Sequence, residues 1–342
     1  MIKLSFSTLM RIATLMAACV LVGCGGASST VNPLTPTRII AFGDSFSTLD
    51  SVVPASGYAT YTVNTSETNA TVASRIATTY GFTMKHYTAS PSVVHASSTA
   101  YSYAAGTATS SDTKTQVELY LSNGNTPGAS DLFIITAGTQ DIIAAAPTNN
   151  TTAIATAATA LTAAIQTLTN AGAQYVLVMQ PINVARTPPF LALNGVRPAG
   201  TNASYNSYAQ SLSYDSGTAC QSFSCLLSTK LNTAYPATSS HQPILLVDLI
   251  SYFNLITGTT NTGSANTFGT YGVTNPDLVV CSTAVPSCTT STLATTSTNQ
   301  YTSTSWDYST SVFAYSYYTT PYANRLMGDY IYNYNFYRAG WR

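Results

Sequence analysis

Four short, unbroken apolar runs constrain this chain more than any other feature. They are Ile39–Phe42 (IIAF), Leu132–Thr136 (LFIIT), Tyr175–Met179 (YVLVM) and Ile244–Val247 (ILLV). Continuous apolar runs of this length suit strands of a parallel sheet buried on both faces. Stretches with helical spacing lie between them. TVASRIATTYGF sets Val72, Ile76 and Tyr80 four apart and ends at Gly81, a natural residue to follow a helix. AIATAATALTAAIQTLTNAG puts Ile154, Leu161, Ile165 and Leu168 on one stripe and ends near Gly172, and CLLSTKLNTAY places Leu227 and Leu231 four apart. The last such stretch, TTPYANRLMGDYIYNYNFYRAG, offers Thr320 as N-cap and Pro321 as the first helical residue. It then steps by four through Leu326, Tyr330 and Tyr334 and closes at Gly340. Strand–helix–strand alternation predicts an α/β, three-layer fold with a parallel sheet flanked by helices. In such sheets ligands bind beyond the carboxyl ends of the strands. Two polar, glycine-containing loops fall there: Gly43-Asp44-Ser45 after IIAF, and AGTQD (137–141) after LFIIT.

The N-terminus speaks about location. Lys3 and Arg11 precede an apolar segment, Ile12 to Val22, that is too short to span a bilayer and fits a secretory signal peptide. The segment runs Leu21-Val22-Gly23-Cys24, and small or apolar residues leading straight into a cysteine resemble the lipobox of bacterial lipoproteins. That resemblance implies a lipidated Cys24 as the mature N-terminus, on the periplasmic or surface side of the bacterial cell envelope. The plainer alternative is an ordinary signal peptide with an incidental cysteine. GGASSTVNPLTPT (25–37) reads as a flexible tether. The expected division is thus a signal peptide at 1–23, a tether at 24–37 and one domain at 38–342, held by acyl chains and not by a spanning helix.

Composition narrows the partners. Only 7% of the 342 residues are charged, against roughly 25% in an average soluble protein. The 12 basic and 12 acidic residues cancel, so nothing points to nucleic acid or to an anionic surface. Ser, Thr, Asn and 24 Tyr supply the polar surface instead; the simpler reading is an exported protein using neutral polar groups, the sharper one a sugar-binding surface. Cys19 and Cys24 belong to the signal region, which leaves Cys220, Cys225, Cys281 and Cys288. Four cysteines allow three pairings. The local pairs, 220–225 and 281–288, are preferred in an oxidising compartment. The three histidines, His86, His95 and His241, do not sit with these cysteines at zinc spacing. No metal or cofactor is implied, and the chain is expected to be a monomer. Two Ser/Thr-rich stretches, 65–74 and 282–305, read as surface insertions.

With these pieces in order, the chain resembles the SGNH, or GDSL, hydrolases, serine esterases and lipases on a flavodoxin-like sheet. FGDSFS (42–47) is similar to the nucleophile block, YSYAAGTA (101–108) to the second block and AGTQD to the third. YGVTNPDLVVC (271–281) resembles a segment of secreted members, and TTPYANRLMGDYI (319–331) the stretch after the catalytic histidine. The resemblance implies Ser45 as nucleophile, with an oxyanion hole from the Ser45 and Gly106 N–H groups and the amide of Gln140. It gives Asp44 and Asp141 loop-shaping roles. A small ester or acylated molecule is the implied substrate or ligand. A serine hydroxyl is a weak nucleophile until a base takes its proton, and the hole then holds the developing charge.

Two positions depart from the family pattern. Gln140 stands where the third block carries Asn, with the same amide on a longer stem. In the final block, Tyr315 falls at the Asp and Tyr318 at the His. Another register uses Asp307 but then puts Thr310 at the His. No histidine follows His241; His86 and His95 are the candidates for a substitute base, against a structural role for each, and His241 precedes a strand. Three readings follow: a weak or atypical esterase, an inactive protein of the same fold that binds an acyl, glycan or protein ligand, and a purely adhesive surface protein.

Overall fold

The computed structural model describes residues 33–49, 59–65, 67, 69–87, 95–193, 203–214, 219–236, 242–258, 267–294 and 307–342. The signal segment, Cys24, most of the tether and His241 lie outside the described residues. Six strands make one sheet: β1 (Arg38–Gly43), β2 (Met84–His86), β3 (Thr99–Ser102), β4 (Leu132–Thr136), β5 (Tyr175–Met179) and β6 (Ile244–Val247). All neighbours are parallel, in the order β2-β3-β1-β4-β5-β6. Without the edge strand β2 this is the flavodoxin-like order, whose direction of winding reverses between β1 and β4.

The helices are α1 (Val72–Thr79), α2 (Ser110–Ser122), α3 (Thr139–Ala145), α4 (Thr151–Asn170), α5 (Pro188–Leu193), α6 (Ala203–Ser213), α7 (Phe223–Ala234), α8 (Leu249–Thr257) and α9 (Pro321–Tyr330). Along β1 successive side chains point to opposite faces, so both faces are packed. Ile39 and Ala41 join the core under α1, α8 and α9, while Ile40 and Phe42 join the core under α2, α4 and α7. A run apolar at every position is what such double burial demands. A further, three-stranded sheet of β7 (Asn275–Val279), β8 (Ser311–Tyr315) and β9 (Tyr318–Thr319) has no counterpart in the sequence pattern.

Local chemistry fixes the helix ends. Thr71 and Ser74 form a capping box at α1, Thr109 and Asp112 do so at α2, and Thr320 caps α9 with Pro321 at its first turn. Thr71 and Ser74 are fully buried, so the end of the 65–74 stretch is helix start and core, not a surface insertion. The 282–305 stretch lies at the surface over its described part, 282–294, where only Cys288 is buried. The Cys281–Cys288 disulfide sits with Val63, Val280 and Ala314 in a small core of its own. The other expected bridge, Cys220–Cys225, is present as well. The C-terminal helix departs from a plain α-helix. After α9 it passes through a π-helical turn, Ile331–Phe336, before Gly340 ends it in the left-handed region. Ile331 and Phe336 are both buried five residues apart, the spacing of a π turn.

At the amino edge of the sheet, Arg38 donates from Nε to Asp131 at 3.0 Å and pairs with it again through Nη2. Burial alone would raise the Asp131 carboxyl, but hydrogen bonds from Arg38, the Gly128 N–H and Thr37 outweigh it and hold it below the usual carboxylate range. Losing one partner of such a pair strands a buried charge. Asp131→Ala should therefore cost about 3–5 kcal/mol in urea denaturation, whereas Lys114→Ala, at the exposed Lys114–Glu118 pair on α2, should cost under about 0.5 kcal/mol. Equal losses would contradict a stabilising buried pair at the amino edge.

Candidate active site

The site begins with a close approach of two strands. Gly43 ends β1 at φ +121°, and a Cβ there would lie 1.7 Å from the Thr136 carbonyl oxygen of β4. Only glycine lets the chain turn so near its neighbour. The next peptide is held from β4: the Asp44 N–H donates to the Thr136 carbonyl (2.9 Å) and lies 3.2 Å from its Oγ1. From α2, Gln116 grips the Gly43 backbone twice, accepting from its N–H (2.6 Å) and donating to its carbonyl (3.1 Å). The Asp44 carboxylate accepts from the Phe46 N–H (3.2 Å), and the Ser47 N–H and Thr48 hydroxyl donate to the Asp44 carbonyl. Ser102 and Thr136 fasten Ser47 from β3 and β4. Ser45 sits at the corner of this turn, partly exposed, and its hydroxyl makes no hydrogen bond with any described residue.

The other two loops meet it at the same edge. The Ala105 N–H donates to the Gly43 carbonyl (3.0 Å), which seats the Gly106 turn beside β1. Gly106 is buried under the Tyr61 ring, whose nearest atoms lie 2.2 Å from the place of a Cβ. Asp141, in the first turn of α3, accepts from the Ser110 N–H (2.9 Å) and hydroxyl (2.8 Å) and so ties this loop to the start of α2. Burial pushes its carboxyl up. Gln140 precedes it, and its side-chain Nε2 is buried without an acceptor among the described residues. A desolvated donor lacking a partner is costly and leaves a place for a ligand oxygen.

The final block does not supply a base. Tyr315 and Tyr318 are cross-strand partners in the β8–β9 hairpin. Tyr315 packs against the small core around the Cys281–Cys288 bridge. Tyr318 is buried, with its ring 5.2 Å from that of Tyr61 and 4.5 Å from that of Tyr317. Burial, then its hydrogen bond with Tyr317, and further the charges of Tyr317, Tyr61 and Asp44 push its phenol far above its ordinary value. It keeps its proton at neutral pH and takes none from a serine. Segment 59–65, which carries Tyr61, is fastened across this end by Thr62 to the Thr319 carbonyl (2.7 Å) and by Asn64 to the carbonyls of Pro286 and Cys288.

Neither of the two described histidines bonds Ser45. His95 is buried among Tyr87, Tyr101, Tyr103 and Tyr120, with Nε2 2.6 Å from the Tyr103 hydroxyl. Its carbonyl accepts from Arg38 at the amino edge of β1 (3.1 Å). Burial lowers its imidazole to about 4, and it makes no contact with Ser45. His86 ends the edge strand β2, paired in register with Ser102, and does not bond Ser45 either. Sequence reasoning does not single out Gln116, Thr136 or Tyr61. Gln116 is one polar residue on an amphipathic helix, Thr136 reads as the end of a buried strand, and Tyr61 lies in no recognisable block.

Carboxyl-edge loops, a glycine-braced serine and a family sequence pattern now agree. The sequence model for GDSL-like lipase/acylhydrolase proteins matches residues 39–237, more than half of the chain, and the chain belongs to that family. Membership supports an esterase or acylhydrolase type of function. The match stops before the final block, where the two tyrosines stand. No curated protein matches the chain.

Asp44 makes the turn testable. It is buried, and desolvation, partly offset by the Phe46 N–H and Thr136, raises its carboxyl from 3.8 to about 6. The folded protein therefore binds this proton more tightly than the unfolded chain. The carboxylate penalises the fold fully above pH 6, by about 3 kcal/mol, and the penalty fades as pH falls toward 4. Asp44→Asn should raise stability at pH 7.5 by about 1–3 kcal/mol, with the gain shrinking to near zero by pH 4 in urea titrations. A difference independent of pH would contradict this assignment.

Proposed function

We propose that this chain is an exported lipoprotein of the bacterial cell envelope, anchored through Cys24, that hydrolyses small esters slowly with Ser45 as nucleophile. The observation that carries the reading is the braced Gly43-Asp44-Ser45 turn, with the Gly106 loop and the unpartnered Gln140 amide at the same edge. The N–H groups of Ser45 and Gly106 and the Gln140 side chain would donate to the oxygen of the tetrahedral intermediate. Asp44 and Asp141 shape the loops that hold these donors.

Slowness follows from what surrounds Ser45. A positioned base contributes on the order of 10²–10⁴ in rate, and triad enzymes stripped of a member keep roughly 10³–10⁴ over water. With Tyr318 protonated and no base bonded to Ser45 among the described residues, hydroxide or a water molecule would take the serine proton. The tyrosines also favour another reading, an inactive member of the family that binds an acyl or glycan ligand or a protein. The Tyr61 ring on Gly106 and the buried Tyr318 beside it give such a ligand an aromatic wall.

Hydrolysis of p-nitrophenyl acetate separates the two. The wild-type chain should turn over weakly, and Ser45→Ala should remove that activity. Tyr315→Asp combined with Tyr318→His should raise kcat/KM by about 10²-fold or more, with a new inflection near pH 6–7. Activity unchanged in Ser45→Ala, and unmoved by the restored pair in folded protein, would leave the binding reading.

A further inference from the structure

Ser45 occupies the carboxyl edge of the sheet, and the opposite edge carries an exposed surface of different chemistry. The Leu34 N–H donates to the Trp341 carbonyl (3.1 Å), and the Trp341 ring packs at 5.2 Å on Tyr175, the first residue of β5. The tether therefore enters the domain at the amino edge, against the C-terminal helical segment. That segment shows the two most exposed large aromatic side chains among the described residues, Tyr334 at 47% and Tyr337 at 70%. The Arg338 guanidinium lies 5.2 Å over the Tyr334 ring and donates to its hydroxyl at 2.7 Å. Arg342 lies 4.7 Å over Tyr332. No acidic side chain occurs from 330 to 342.

Tyrosine rings with polar tips, interleaved with arginines whose stems cover apolar surface, are the chemistry of the headgroup layer of a bilayer. The tether supplies the reason to choose that occupant. Cys24 precedes Leu34 by ten residues, a reach of at most about 35 Å at full extension. An acyl chain on Cys24 would hold this edge within that distance of the membrane. Tethering raises the local concentration of the bilayer, so even a weak additional contact is populated. We propose that in the lipidated protein Tyr334, Tyr337, Arg338 and Arg342 rest on the phospholipid interface of the membrane that holds the anchor, with the Ser45 edge turned away from it. The proposal rests on the reading of Cys24 as lipidated and adds a protein contact to that anchor.

The test uses the full chain, processed and purified from membranes, in vesicles of phosphatidylethanolamine and phosphatidylglycerol with or without brominated acyl chains. Tyr337→Trp places an indole on the proposed contact. Thr148→Trp places one on an exposed loop before α4, at the Ser45 end, and wild type corrects for the native tryptophans. Mass spectrometry of the N-terminal peptide reports the lipid independently. With Cys24 lipidated, brominated lipid should quench the added Tyr337→Trp fluorescence at least about twofold more than that of Thr148→Trp. Equal quenching in protein shown to be lipidated would overturn the contact while leaving the anchor. An unmodified Cys24 would overturn the anchor, and the proposed contact with it, through a different readout.

Discussion

Everything at the carboxyl edge depends on how closely β1 turns past β4. The Gly43–Thr136 approach leaves no room for a side chain, and it brings the Asp44 N–H onto the Thr136 carbonyl. Gln116 then grips the Gly43 N–H and, together with the Ala105 N–H, its carbonyl. A sheet edge would otherwise leave those groups to water, and the turn would lose its fixed shape. Because the Gly106 loop hangs on the Gly43 carbonyl, the position of its N–H is inherited from the same bracing. Asp44 sits inside this turn at an electrostatic cost, a local strain of the kind that functional sites carry and surrounding structure holds in place.

The site is therefore well built in one half and altered in the other. Serine, glycine loop and amide-bearing helix start are arranged around one strand junction. The half that would move a proton has become apolar and aromatic. Tyr318 and Tyr61 face each other at ring distance beside Gly106, and the segment carrying Tyr61 is laced to the loop of the Cys281–Cys288 bridge. Neither described histidine bonds Ser45, and His95 is locked in a tyrosine cluster with its carbonyl on Arg38. On the proposed reading, such a site would favour transition states that carry negative charge on oxygen but do little to generate the nucleophile.

Much of this was legible in the sequence. Buried strands read well because both faces must be apolar, so β1, β4 and β5 stand out even in a chain full of Ser and Thr, and the half-buried edge strand β6 reads through its apolar run. Thr320-Pro321 and the glycines at 81, 172 and 340 mark helix ends for steric reasons that hold in any context. The strands β2 and β3 did not read. β2 is three residues long, and the partial burial along β3 gives a weak alternation in a Ser/Tyr/Thr-rich setting. The small sheet was hidden for a similar reason: β7 includes Pro276 and Asp277, and β9 has two residues. At the site, the nucleophile, glycine and amide positions followed from family blocks. Gln116, Thr136 and Tyr61 act through contacts 73, 92 and 45 residues away in sequence from Gly43, Asp44 and Gly106, and no local pattern encodes such pairings.

On the proposed reading, Ser45 occupies a nucleophile's place with no base among the described residues to activate it. The most direct measurement is the rate of Ser45 modification by a fluorophosphonate, read by peptide mass spectrometry from pH 7 to 9, with Ser45→Ala as control. Above the titration of Asp44, labelling should be slow and should rise about tenfold per pH unit, because hydroxide does the work of the missing base. Fast labelling that is flat across that range would reveal an activated serine and contradict the claim.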